Sequence, residues 1–205
     1  MSKRDAILEA ATGLFAEKGF RETSMSELSR LSRVAEGTIF YHFKSKVEIF
    51  VAILDEARRT LIRELDAFQS SSRFESGLDM VQGLVSHYLY LVDSMENLFL
   101  LLHRHYPYDL AATNADCRKH LEAIYSSLFG SFEKAVARGQ EDGSISPGVE
   151  PGRSARLLFA LVNGVVQYRT NNLFDPKDLY PELFASVRRM LTSENGGHHL
   201  ERQAG

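Results

Sequence analysis

Cysteine is almost absent from this chain, and its scarcity excludes two architectures. A single Cys117 cannot close an intrachain disulfide, and without a Cys-x-x-Cys pair the common zinc frameworks built on that spacing are missing. Such usage fits a reducing, cytosolic setting, so the cytoplasm is the expected location. Long apolar runs are lacking as well. The most apolar stretches are broken by charge or histidine well before the ~18 residues that a membrane span needs, and no membrane partner is expected. The N-terminus, Met-Ser-Lys-Arg-Asp, leads straight into an amphipathic pattern, without the apolar stretch and small-residue cleavage site of a secretory leader. Period-2 alternation, internal repeats and low-complexity tracts are also missing, as are a Gly-rich phosphate loop and a nucleophile elbow. An enzyme would have to rely on His103, His105 or a carboxylate alone. No catalytic residue is therefore assigned, and no cofactor is expected.

What the sequence does hold is helix. At 205 residues and 44% hydrophobic content there is ample apolar surface to bury. The net charge of −3 does not suggest a nucleic-acid binder, but it hides a bias along the chain. Residues 1–46 carry eight Lys and Arg against six acids, a surplus of two positive charges, which leaves −5 for residues 47–205.

Ile7, Leu8, Ala11, Leu14 and Phe15 fall on one face of a first helix, which Gly19 ends in a Schellman stop with Phe20 as its apolar contact. Ser24-Met-Ser-Glu27 reads as a capping box opening a second helix, with Met25, Leu28 and Leu31 as its buried stripe. The periodicity restarts at Val34, Ile39, Phe40 and Phe43 in a short third helix. A second capping box, Ser45-Lys-Val-Glu48, opens a long fourth helix that runs to about Phe68, where Ser70-Ser71-Ser72 breaks it. Further helical patterns cover roughly 74–92, 95–105 and 110–138, with Pro107 as a stop between the last two. A Gly/Ser/Pro loop at 139–148 precedes helices over about 151–172 and 178–193.

Three short helices in about 45 residues, the second and third joined by a tight turn, match a helix-turn-helix whose last helix enters the major groove. That layout requires one face for the core and one for DNA. Val34, Ile39 and Phe43 can turn inward and leave Ala35, Glu36, Thr38, Tyr41 and His42 outside, followed by Lys44 and Lys46. These side chains suit phosphates and base edges, and Gly37 lets the helix approach the sugar-phosphate backbone.

The run Thr23-Ser-Met-Ser-Glu-Leu-Ser-Arg-Leu-Ser-Arg-Val-Ala-Glu-Gly-Thr-Ile-Phe-Tyr-His-Phe-Lys-Ser-Lys46 resembles the signature of the TetR family of bacterial repressors, closely over residues 5–50 and more loosely around Gly143 to Pro151. The resemblance implies that Thr23, Thr38, Tyr41, His42 and Lys46 contact DNA, with Lys46 gripping phosphate. Two positions depart from the family pattern. Ser32-Arg33 stands where an Ala-Gly turn is usual, and Ala35 where Ser or Thr often opens the third helix. A left-handed Arg33 would carry strain on the order of 1 kcal/mol that glycine avoids.

In the resembled family the middle of the chain forms a pocket for a small effector, and a mixed aromatic and polar lining suits one. Tyr88, Phe99, His103, Tyr125, Phe129, Asn163 and Gln167 are the candidate lining residues, with core packing as the alternative for each aromatic. Asn163 and Gln167 could equally serve an interface or meet water. His103-Arg-His105 and Cys117-x-x-His120 suggest zinc, but i, i+2 side chains diverge on a helix and no second close pair completes a set, so no metal is expected. Leu157, Leu158, Leu161, Val162, Val165 and Val166 make too broad an apolar face for one partner. The resemblance implies that the last two helices pair with their copies in a homodimer, with Leu161, Gly164, Val165, Phe184, Val187 and Leu191 at the interface.

The expected fold is all-α, about nine helices in total. A three-helix DNA-binding head (1–46) is followed by a larger helical effector and dimerisation domain (47–193) and a polar tail expected to fray (194–205). Its expected partners are double-stranded operator DNA, a small partly apolar effector and a second copy of the chain. The resemblance implies a repressor, while the residues themselves leave repression and activation both open. A protein-interaction module that kept the fold without reading DNA is the rival, and Tyr41, His42 and Lys46 discriminate between the two.

Overall fold

Local start and stop signals account for the N-terminal helices. In the computed structural model, which describes residues 2–171 and 175–192, the Ser2 hydroxyl accepts from the Asp5 amide and the Asp5 carboxylate accepts from the Ser2 amide, starting α1 (Lys3–Glu17). Gly19, at φ 93°, ends it, donating its amide to the Phe15 carbonyl at 3.1 Å. Phe20 packs on Phe15 with ring centroids 5.2 Å apart. The Ser24–Glu27 capping box is formed and opens α2 (Met25–Ser32). After α3 (Glu36–His42) the expected box at Ser45 is altered. Ser45 caps the Glu48 amide at 3.2 Å, but the Glu48 carboxylate accepts from Lys44 at 2.7 Å instead of from Ser45.

The remaining helices are α4 (Lys46–Ser71), α5 (Gly77–Ser94), α6 (Glu96–Leu102), α7 (Tyr106–Ala111), α8 (Ala115–Glu141), α9 (Pro151–Thr170) and α10 (Tyr180–Thr192). A 3-10 turn at Pro176–Leu179 leads into the last of these. The architecture is all-α, with no strand among the described residues. Ten α-helices among the described residues replace the nine or so expected, because the middle patterns resolve into α6, α7 and α8. Pro107 does not stop a helix. It sits in the first turn of α7, where a missing N–H leaves no hydrogen bond unmade. No helix among the described residues is long and apolar enough to cross a membrane. The expected tail, 194–205, lies outside the described residues.

Two compact units divide the chain, one of residues up to Glu64 with Val92–Tyr125, the other of Leu65–Leu91 with residues from Ser126 onward. In the first, α1, α2 and α3 close over Ile7, Leu28 and Ile39, all fully buried. Phe15, Phe20, Phe50 and Tyr106 form an aromatic cluster beside them, in which Tyr106 lies flat on Phe20 at 3.8 Å. Arg104 donates to the carbonyls of Ala16 at 2.7 Å and Glu17 at 3.2 Å, satisfying the C-terminal turn of α1. In the second unit, the amides of Gly77 and Leu78 at the start of α5 donate to Asp142 at 2.7 Å and to the Ser144 hydroxyl at 3.1 Å. Gln140 ties down the loop before α9, donating to the Val149 carbonyl at 2.6 Å.

Candidate nucleic-acid interface

The turn between α2 and α3 is built from side chains that replace missing backbone partners. Ser32 donates to the Leu28 carbonyl at 2.7 Å and Ser29 to the Val34 carbonyl at 2.8 Å, while the Val34 amide returns to Ser29 at 3.3 Å. Closing this turn forces Arg33 to φ 56°, ψ 30°, the left-handed region. Among the described residues it is the one non-glycine with positive φ.

Val34, Ile39 and Phe43 turn into the core, and the Arg4 guanidinium covers the Phe43 ring at 5.5 Å. Ala35, Glu36, Gly37, Tyr41, His42 and Lys44 are exposed, and Thr38 is half-buried. Tyr41 is 79% exposed, with its ring edge-on to His42 at 5.4 Å. A phenol, an imidazole, a threonine hydroxyl and a lysine thus stand along one short helix and the turn after it, a set able to donate to phosphates and base edges. Leu31, expected inside, is exposed instead, and so is Phe40. In a helix as short as α3, Ile39 and Phe43 fill the inward face, and Leu28 alone serves that role in α2.

Two of the expected contacts have other work. Thr23 is 2% exposed, and its hydroxyl donates to the Gly19 carbonyl at 2.9 Å, so its side chain braces the end of the first turn and is not offered to a ligand. Lys46 is half-buried and donates to the Thr23 carbonyl at 2.7 Å and the Arg21 carbonyl at 3.2 Å. Burial holds its pKa below the usual lysine value.

The candidate effector residues fall into two groups. In the first unit Phe99 is buried, His103 Nδ1 lies 2.7 Å from the Phe99 carbonyl, and the Tyr125 hydroxyl pairs with that of Tyr108. Burial pushes the Tyr125 phenol up. In the second unit the Tyr88 hydroxyl donates to Asn163 Oδ1 at 3.1 Å, and Tyr88 and Phe129 both meet Phe159 edge-on, at 5.6 and 5.5 Å. Gln167 points away from such a lining: it is exposed on α9.

The broad apolar face of α9 divides. Leu158, Val162, Val165 and Val166 are buried, whereas Leu157, Leu161, Gly164 and Tyr168 form an exposed stripe at i, i+4, i+7, i+11. Leu157 is 60% exposed and Leu161 39%, and a Cβ on Gly164 would meet nothing within 4 Å. Val165, Val187 and Leu191, expected at a dimer interface, are instead buried within their own unit, and Phe184 is half-buried. The hydropathy pattern alone does not separate the two faces.

Cys117 is buried and its thiol is raised to about 11 by that burial, while His105 pairs with Asp109 at 3.4 Å. No group of three His, Cys, Asp or Glu side chains among the described residues could hold a metal ion.

Residues 7–53 match the profile of the bacterial regulatory proteins of the tetR family. The chain is 27% identical over 167 residues to the A-factor receptor protein of Streptomyces griseus, covering 78% of this chain and spanning about half, 52%, of that relative's length. It is 21% identical over 187 residues to the fatty acid metabolism regulator protein of Bacillus subtilis, covering 91% of this chain and 92% of the relative. Among solved structures, FadR from Bacillus subtilis in complex with stearoyl-CoA shares the fold, with a TM-score of 0.71 and 21% identity over 95% of this chain and 99% of that one. Residues 7–53 thus carry the N-terminal domain of the tetR family of bacterial regulatory proteins, and the chain shares its all-α fold with that solved regulator.

Proposed function

We propose that this regulator is a cytoplasmic repressor that binds a near-palindromic operator as a homodimer and leaves it when a small, partly apolar effector binds. Residues 1–46 act as the reading head and 47–193 as the effector and dimerisation domain. Two copies of α3 enter successive major grooves roughly 34 Å apart, and residues 35–42 supply specificity. The exposed, chemically mixed face of α3, led by Tyr41 and His42, carries this reading. Lys44 adds a phosphate contact beside it.

The uncovered apolar stripe of α9 supports self-association, since Leu157, Leu161 and Tyr168 are large side chains left in water beside a glycine that admits close approach. The interface then consists of Leu161 and Gly164 with Leu157 and Tyr168, and Phe184 at its margin. The similarity to a regulator solved with stearoyl-CoA supports an apolar effector, with Tyr88, Phe129 and Asn163 of the second unit as its contacts. Effector preference for one conformer then shifts DNA affinity.

Fluorescence anisotropy against DNA from upstream of the protein's own coding sequence, at two salt concentrations and with random duplex as competitor, tests the reading. Competitor-resistant binding at two protomers per symmetric site, weakening steeply with salt, is expected. Tyr41→Ala and His42→Ala should abolish the preference over random duplex. Variants that bind as well as the unaltered chain would favour the interaction-module reading.

A further inference from the structure

A cleft of about 360 Å³ opens in the N-terminal unit, and none of the candidate effector residues lines it. α1 and α4 form its walls, and Met95 and Leu98 from the α5–α6 junction close one end. The floor is apolar: Leu8, Ile53 and Ala57 are each 3% exposed. The rim is acidic, with Asp5 and Glu9 from α1 and Glu56 from α4. A neighbouring hollow of about 480 Å³ shares Glu9, Met95 and Leu98 with the cleft and adds Asp93 and Glu96. No Lys, Arg or His lines either one.

Asp5 is engaged in the cap of α1, but Glu9, Glu56 and Glu96 have no ion-pair partner among the described residues. Carboxylates of one sign above a low-dielectric floor concentrate cations in the cleft. The side chains are not grouped to chelate a metal, and a bare cation would leave the apolar floor uncovered. A neutral apolar molecule would cover the floor but gain nothing from the rim, and an anion would be repelled. The volume falls within the range of small-ligand sites, about 300–1,000 Å³.

We propose that this cleft binds a small organic cation, its apolar body on Leu8, Ile53 and Ala57 and its charge on the rim of Glu9 and Glu56. The site is separate from the proposed effector contacts and stands whether or not the head reads DNA.

Titration calorimetry on the full chain with benzyltriethylammonium, and with benzenesulfonate as an anion of similar size, tests it. The expected result is saturable binding of the cation at one per chain, weakened by added salt, with no binding of the sulfonate. The Glu9→Gln/Glu56→Gln variant should bind the cation about tenfold more weakly or worse. A charge-matched variant remote in sequence, Glu133→Gln/Glu141→Gln, should bind as the unaltered chain does. Both variants change only exposed groups, and unchanged melting temperatures would verify their folding. Absence of saturable cation binding, equal affinity in the two variants, or equal binding of the sulfonate would overturn the assignment.

Discussion

The Lys46 ammonium lies 2.7 Å from the Thr23 carbonyl oxygen, so the residue that opens α4 is tied to the turn that precedes α2. The same group reaches the Arg21 carbonyl and stands 4.6 Å from the centre of the Phe20 ring. Two of its three protons are thereby committed inside the head. Lys44, two residues earlier, is exposed, and among the described residues only its backbone amide is held, by Glu48.

The two lysines should therefore separate in experiment. Lys46→Met is expected to lower stability to denaturant by about 1–2 kcal/mol, since two charge-assisted hydrogen bonds are lost from a half-buried position. Lys44→Ala should leave stability within about 0.5 kcal/mol of the parent and reduce the slope of log affinity against log salt by about one for operator DNA. Equal stability of the two variants would mean that the Thr23 contact contributes little.

Much of the head was legible because its determinants are local. A Ser and a Glu three residues apart specify the start of α2, and Gly19 specifies the end of α1, without reference to the rest of the fold. The inward set Val34, Ile39 and Phe43 follows from spacing alone. Contacts between distant segments left no such trace. Nothing in the sequence announces that Arg104 closes the end of α1, that Thr23 turns its hydroxyl to Gly19, or that α9 has a covered and an open apolar face. Periodicity identifies apolar residues, but whether Leu31 or Leu157 finds a neighbour depends on elements elsewhere in the chain. For the same reason the acidic cleft, assembled from α1, α4 and the α5–α6 junction, could not be read from any one of them.

Arg33 adopts the left-handed conformation that its turn requires, at φ 56°. A Cβ there is strained, whereas glycine takes this region freely. Arg33→Gly should raise stability by up to about 1 kcal/mol, measured as the shift of the denaturant midpoint at constant m-value. A loss of stability would indicate that the Arg33 side chain makes compensating interactions.

Glu27 accepts from Lys18, from the Ser24 amide at 3.2 Å and from the Ser24 hydroxyl at 3.3 Å, and these partners pull its carboxyl down from 4.5 to about 2. Because folding favours the ionised form, the contribution is fully present above pH 4.5 and is lost as pH falls toward about 2. Glu27→Gln should flatten the pH dependence of stability across that interval and leave its slope above pH 6 unchanged. Denaturant melts at half-unit pH steps would detect this. An unaltered acid limb would refute the assignment of that titration to Glu27.

Gly77 and Gly164 should respond oppositely to the same methyl group. A Cβ on Gly77 would fall 2.0 Å from the Gly139 amide nitrogen and 2.6 Å from the Ala135 carbonyl oxygen. Those are backbone atoms, so relief requires α5 and α8 to move apart and strains the Asp142 bond to the Gly77 amide. Gly77→Ala is therefore expected to destabilise the chain by about 2–3 kcal/mol or more. At Gly164 nothing lies within 4 Å, and alanine is the better helix former by ~1 kcal/mol. Gly164→Ala should leave the isolated chain as stable or more so, while weakening self-association if the open stripe of α9 is the dimer face. Denaturant melts combined with sedimentation equilibrium would separate the two effects. A Gly164→Ala chain that loses folding stability in the monomer would mean that the glycine serves its own helix and not a partner.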